Sequence, residues 1–230
     1  MPLKALKKIR EERVSLKKPK NKEERSAKNA ENFLFIKQLV KNPKALGSIV
    51  PSSEALGKFI SKQIDVNAEG CFVEVGAGTG ALTHELLKAG VHPEKLFVVE
   101  LEENLSAFLK KSLPPQVHVI TGDASHLETL LPPHVLGHVE AIISGIPMMN
   151  LSVFEQLGII RSCFSVMREG GSFLQFTYGP LSPLPAKKLG LAKKRMGHVF
   201  LNFPPATVWR YMKDEKEVAG LMQDAKAAGK

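Results

Sequence analysis

The 230-residue sequence predicts an α/β fold: a mostly parallel sheet with helices on both faces, an antiparallel terminal strand, and a helical extension in front. Three observations lead there. The apolar run Phe72-Val73-Glu74-Val75 meets the glycine loop Gly76-Ala77-Gly78-Thr79-Gly80, and Ala81 to Leu87 then reads as a helix. Apolar runs of strand length alternate with helical stretches through the middle of the chain. Three successive strands each end in or beside an acid: Glu74, Glu100 and Asp123.

The chain opens with a basic, weakly ordered tail over 1–30, where 11 Lys or Arg face 4 Glu. Residues 31–66 form N-terminal helices. In the first, Glu31 to Lys41, Phe33, Leu34, Ile36, Leu39 and Val40 line one side, with Lys37 mostly opposite. That helix either lies in a lipid interface with its lysines at head-group level, or packs on the domain as a surface helix. Pro43 and Gly47 break it, and Ser52 or Ser53 can cap a second helix over about 54–64.

The main domain spans 67–213. Its first strand ends at Glu74, with a helix over 79–89. The second strand, Leu96 to Glu100, leads to a helix over 103–113. The third ends near Thr121, before a short helix that Pro132-Pro133 stops. Strand four is Glu140 to Ser144, followed by a helix over 152–167. Gly170-Gly171 turns into strand five, Ser172 to Tyr178. A proline-interrupted segment and a basic loop, 186–198, come next. Val199 to Phe203 and Ala206 to Tyr211 close the sheet as an antiparallel pair, and 214–230 is a frayed tail.

Composition narrows the function classes. No signal peptide or apolar stretch of about 20 residues is present, so a membrane role would be peripheral. Cys71 and Cys163 have no metal spacing, suit a reducing compartment, and suggest neither a disulfide framework nor a metal site. The net charge of +9 is concentrated in residues 1–30 and in Lys187, Lys188, Lys193, Lys194 and Arg195. Such segments attract either nucleic acid or acidic lipid.

The glycine loop fits two ligand classes, since Gly76-x-Gly78-x-x-Ala81 also satisfies a dinucleotide fingerprint. Electrostatics favours a different ligand. Glu74 stands where a pyrophosphate would sit and repels it. S-adenosylmethionine has no phosphate and carries a sulfonium and an ammonium. Glu100 falls about 20 residues beyond the loop, where a ribose-binding carboxylate is expected. At the end of strand four, Ser144-Gly145-Ile146-Pro147-Met148 is a polar residue, a spacer and a proline. A fixed turn of this kind points backbone carbonyls at an acceptor amine. Met148 takes the place of a base-stacking ring and offers a soft apolar wall suited to an alkyl amine.

The sequence resembles the bacterial phospholipid N-methyltransferases of the soluble type, Rossmann-like class I methyltransferases related to the rRNA adenine dimethyltransferases. Five stretches carry the likeness: Asn42 to Ser52, the glycine loop, Ser144 to Asn150, Tyr178 to Pro183, and Pro204 to Tyr211. The resemblance implies a cytosolic enzyme at the inner membrane face that methylates phosphatidylethanolamine, once or successively toward phosphatidylcholine, with S-adenosylhomocysteine as the second product. It also implies that Glu74, Gly76 and Gly78 line the cofactor's methionine part and that Ser144 contacts the cofactor. Glu100 would bind the ribose and Asp123 the adenine amino group. Membrane contact would fall on the Glu31–Lys41 helix, through Phe33, Ile36 and Lys37.

Ser144, Pro147 and Tyr178 are the candidate catalytic residues. Tyr178 either meets the head group or is half-buried core. Lys187, Lys188, Lys193, Lys194 and Arg195 are the candidate grips on lipid phosphate. The long basic N-terminus departs from the family's shorter forms and leaves room for an ornithine lipid. Two further readings stay open: an rRNA adenine methyltransferase, disfavoured by Met148, and a non-catalytic membrane or RNA adaptor.

Overall fold

The computed structural model describes residues 50–178, 180–202 and 205–213. The expected tails 1–30 and 214–230, and the Glu31–Lys41 helix with Phe33, Ile36 and Lys37, lie outside the described residues.

Among the described residues, five helices and seven strands form a three-layer α/β fold. Helix α1 is Val50–Ser61. Strand β1, Cys71–Val75, is followed by α2, Ala81–Lys88. Next come β2, Leu96–Glu100, and α3, Glu103–Ser112, then β3, His118–Thr121, and the single turn α4, Leu127–Leu130. Strand β4, Val139–Ser144, leads to α5, Val153–Val166. Strands β5, Met167–Thr177, β6, Leu191–Val199, and β7, Ala206–Lys213, complete one sheet of order β3-β2-β1-β4-β5-β7-β6.

The pairs among β1 to β5 are parallel, whereas β7 runs antiparallel to both β5 and β6. A sheet covered on both faces needs strands that are apolar throughout, and β2 is buried at all five positions. Alternate side chains divide between two cores. Phe72, Leu96, Val98, Ile143 and Leu174 pack with Leu56, Ile60, Leu86 and Leu109 from α1, α2 and α3. Val73, Val75, Phe97, Ile142 and Phe173 pack with Leu127, Ile159, Cys163 and Phe164 from α4 and α5. No helix among the described residues is long and apolar enough to cross a membrane.

Three expectations are corrected. Helix α1 begins at Val50, so Ser52 and Ser53 lie inside it and do not cap it; Pro51 stands in the first turn, where a missing N–H costs nothing. Strand β5 begins at Met167, five residues early. The pairing shifts from Val139↔Met167 to Ala141↔Ser172, and Gly170 adopts φ 75, so the two glycines form an irregularity inside the strand. The basic loop 186–198 is a 3-10 turn, Ala186–Leu189, followed by edge strand β6, while Phe200 to Asn202 is the turn into β7. An edge strand pairs on one side only, and exposed Lys193, Lys194 and Arg195 are a common guard against further pairing.

Candidate active site at the carboxyl edge of the sheet

The chain reverses direction after each parallel strand, and four hydrogen bonds tie the connections after β1, β3 and β4 to neighbouring strand ends. Gly76 N donates to Val99 O at 2.8 Å and Gly122 N to Glu100 O at 3.0 Å. Gly145 N donates to Val75 O at 2.9 Å. Thr177 Oγ1 donates to Met149 Sδ at 3.3 Å, linking the end of β5 to the turn after β4. The structure thereby brings Glu74, Gly76, Gly78, Glu100, Asp123, Ser144, Pro147 and Tyr178 to one edge.

The glycine loop is needed in its detail. Gly76, Gly78 and Gly80 adopt φ of 70, 59 and 79, a region that L side chains rarely occupy. A Cβ on Gly76 would stand 2.7 Å from Ile146 Cγ1, whereas one on Gly78 would meet nothing within 4 Å. The loop is thus jammed against the β4 turn on one side and open on the other.

Glu100 ties the loop down. Its Oε2 accepts from Gly78 N at 2.8 Å and its Oε1 from Glu102 N at 3.0 Å. Each oxygen keeps a second lone pair, which suits a pair of vicinal hydroxyls. Asp123 is exposed, and its Oδ1 accepts from Ser125 N at 2.8 Å.

Glu74 is buried and accepts from Thr83 Oγ1 at 2.6 Å. Burial pushes its carboxyl from 4.5 up to about 8; the Thr83 bond opposes this and nearby Glu100 adds to it. Between those values the folded chain holds a proton that the unfolded chain has released. Stability therefore falls as pH rises through that window. We expect wild type to lose more stability than Glu74→Gln in urea unfolding between about pH 6 and pH 9. Equal losses would place the titration elsewhere.

The turn after β4 is braced from two sides. Gln175 Nε2 donates to Ile146 O at 3.0 Å, and Gln156 Nε2, from α5, to Met148 O at 2.8 Å. Both glutamines are buried, and each leaves its Oε1 without a partner. Pro147 is exposed at the mouth. Ser144 is fully buried, with its Oγ accepting from Ile146 N at 3.3 Å, so it sits beneath the turn.

The expected apolar wall is displaced by one residue. Met148 is 1% exposed and belongs to the core with Val75 and Ile159, while Met149 is 60% exposed. In the 3-10 turn Met148–Asn150 the chain curls tightly enough to send neighbouring side chains opposite ways. Tyr178 stands exposed, edge-on to Phe176 with ring centroids 5.8 Å apart. Partial burial raises its phenol above the ordinary value, so it stays neutral near pH 7. Tyr211 is core: its hydroxyl meets Ser182 Oγ at 2.8 Å and anchors the proline-rich segment.

The basic residues are not gathered at this edge. Lys187 and Lys188 sit in the 3-10 turn just before Leu191, which pairs with Lys213 at the far end of the sheet. Lys193, Lys194 and Arg195 are exposed along β6, with Lys193 Nζ 5.6 Å from the Trp209 ring centroid.

Sequence reasoning missed Met149, Gln156 and Gln175. A glutamine within an apolar strand, Phe173-Leu174-Gln175-Phe176, was the available signal, because a buried amide requires partners.

Comparison with known proteins agrees with this geometry. Residues 72–171 match the methyltransferase domain family. The chain is 27% identical over 151 residues to the ornithine lipid N-methyltransferase of Singulisphaera acidiphila, covering 64% of this chain and 78% of that one. It is 36% identical over 74 residues to the ribosomal RNA small subunit methyltransferase A of Thermotoga petrophila, covering 32% of this chain and only 27% of that one. Among solved structures, the TehB-like S-adenosylmethionine-dependent methyltransferase of Corynebacterium glutamicum aligns with a TM-score of 0.54 at 17% identity, over 81% of this chain and 99% of that one. PigF with S-adenosylhomocysteine aligns at 0.51 and 20% identity, over 67% of this chain and 53% of that one.

The fold is therefore that of the class I methyltransferases. Residues 72–171 form a methyltransferase domain, and the chain is an S-adenosylmethionine-dependent methyltransferase. The edge suits that cofactor: Glu100 keeps a lone pair on each oxygen for a pair of ribose hydroxyls, and the loop is open at Gly78.

Proposed function

We propose that the chain N-methylates the amine head group of a lipid, with ornithine lipid as the first acceptor and phosphatidylethanolamine the second. The observation that carries this is the 151-residue likeness to an ornithine lipid N-methyltransferase. It extends well beyond the 100 residues of the methyltransferase domain, whereas the likeness to rRNA enzymes runs over 70 to 85 residues.

A second feature favours a phosphate-free head group. The connections 76–80, 101–102, 122–126, 145–152, 178–185 and 200–205 contain no lysine or arginine. A phosphate bound there would find no cation in them.

S-adenosylmethionine supplies an electrophilic methyl group on sulfur. The chain's residues align and desolvate. Gln156 and Gln175 hold the β4 turn rigid, and the Pro147 carbonyl, which accepts from Asn150 N at 2.9 Å, keeps a second lone pair that can orient an amine. Neutral Tyr178 is no anionic base; its ring flanks the amine and stacks on the cation that forms. Tyr178→Ala is expected to lower kcat about tenfold, in the range of a cation–π contact, while Tyr178→Phe keeps most of the rate. Wild-type turnover in both variants would remove Tyr178 from the mechanism.

The test offers labelled S-adenosylmethionine with ornithine-lipid vesicles, phosphatidylethanolamine vesicles or ribosomal RNA. Label in ornithine lipid is expected. Label in RNA alone would overturn the proposal.

A further inference from the structure

The structure exposes nine large apolar side chains among the described residues, and they are not scattered. Leu101 follows β2. Met149, Val153 and Phe154 lie between β4 and the first turn of α5. Tyr178 and Leu181 follow β5, and Phe200 and Leu201 form the β6–β7 turn. Register fixes where that turn lies. Val199 pairs with Ala206, and Thr207 with Thr177 at the end of β5, so the turn shares the edge of the glycine loop and Pro147. Met212 alone lies toward the other end.

The most exposed members are Phe154 at 85%, Leu201 at 84%, Phe200 at 78% and Leu181 at 71%. Single exposed apolar residues need no explanation, but a rim of them around one mouth marks an interaction surface. Their placement is built. Phe154 stands outward because a capping box, Ser152 with Glu155, fixes the start of α5. The segment bearing Leu181 is pinned by the Ser182–Tyr211 contact.

We infer that this rim inserts into the interfacial layer of a lipid bilayer and seats the acceptor turn against the head groups. The inference rests on the lipid reading above. Charge argues for a bilayer over nucleic acid. The connections bearing the rim lack lysine and arginine, while Glu102, Glu103 and Asp123 lie at the same edge; this arrangement repels a phosphate backbone. The exposed cations come further back. Arg195 precedes Val199 by four residues, about 13 Å along a strand, and Lys194 and Lys193 follow behind it. Apolar tips ahead of a basic flank suit a bilayer with anionic lipid, where the tips enter the apolar boundary and the flank faces the surface charge. The β7 strand ends at Lys213 beside Leu191, at the other end of the sheet.

The test is vesicle co-sedimentation of the full chain, using phosphatidylglycerol and phosphatidylcholine, at low salt and at ~1 M salt, where charge attraction is screened within about 3 Å. The high-salt arm isolates apolar insertion from the basic segments. Wild type is expected to retain binding there. F154S/L181S/F200S/L201S is expected to bind on the order of tenfold more weakly or less, and Met212→Ser to match wild type. F154S and L201S, made singly, should each weaken binding severalfold and guard against misfolding of the quadruple variant.

Undiminished binding by every rim variant, or no binding by wild type, would overturn the inference. So would a dimer or an RNA complex that the rim variants abolish while vesicle binding is kept. The two proposals fail separately. Rim-dependent binding without methylation of any lipid leaves docking standing and removes the lipid substrate. Methylation of a short-chain, monomeric ornithine lipid without vesicle binding does the reverse.

Discussion

Gly145→Ala is expected to lower methyl transfer about a hundredfold while the protein still folds. An added Cβ would stand 2.3 Å from Gly76 O, a backbone atom of the glycine loop. Ordinary contact requires about 1 Å more, and a misplacement of that size between reacting groups costs on the order of a hundredfold in rate. The strain itself costs about 1–3 kcal/mol of stability. Gly70→Ala separates the two effects. Its Cβ would stand equally close, 2.3 Å, to His138 O, but Gly70 precedes β1 at the opposite edge of the sheet. That variant should lose comparable stability and keep its turnover per folded molecule. Urea unfolding with steady-state rates decides the matter. Equal rate losses in both variants would show that Gly145 matters only through stability.

Glu100→Ala should weaken binding of S-adenosylhomocysteine about a hundredfold and raise the cofactor KM to match, with kcat little changed. The carboxylate accepts from both Gly78 N and Glu102 N, and hydrogen bonds to a charged group contribute about 1.5–3 kcal/mol each. Its removal releases the open side of the glycine loop but leaves the β4 turn alone, which explains the split between KM and kcat. Glu100→Gln keeps one acceptor and turns an amide NH2 toward the other backbone N–H, so a smaller loss of about tenfold is expected. Calorimetry of the three proteins checks the order, and unchanged affinity in Glu100→Ala would end the assignment.

The parallel half of the fold was legible because its inner strands, β1, β2 and β4, are buried on both faces. Leu96-Phe97-Val98-Val99-Glu100 has no other reading, and its bounds match the structure residue for residue. Strand β6 was not, because an edge strand at the surface carries exposed lysines where a buried one carries valine. Leu191 to Val199 thus read as a basic loop. Its partner was found because Ala206, Val208 and Tyr211 are buried.

The cofactor side of the site was legible for a related reason. Glycines at positive φ and acids at strand ends are local features, visible in sequence. The acceptor side depends on tertiary detail. Which of Met148 and Met149 faces outward is decided by a three-residue turn, and the brace from Gln156 spans eight residues through a helix that had first to be placed. The apolar rim required register. Only the pairing of Thr207 with Thr177 shows that Phe200 and Leu201 share an edge with Phe154.

The most direct test of the central claim is the mass of head groups in lipids extracted from a host that makes ornithine lipid and expresses this chain. The account predicts ornithine-lipid head groups bearing added methyl groups on the amine, and their loss when Gly145→Ala replaces the wild type. Unmodified lipids alongside newly methylated RNA adenines would contradict it.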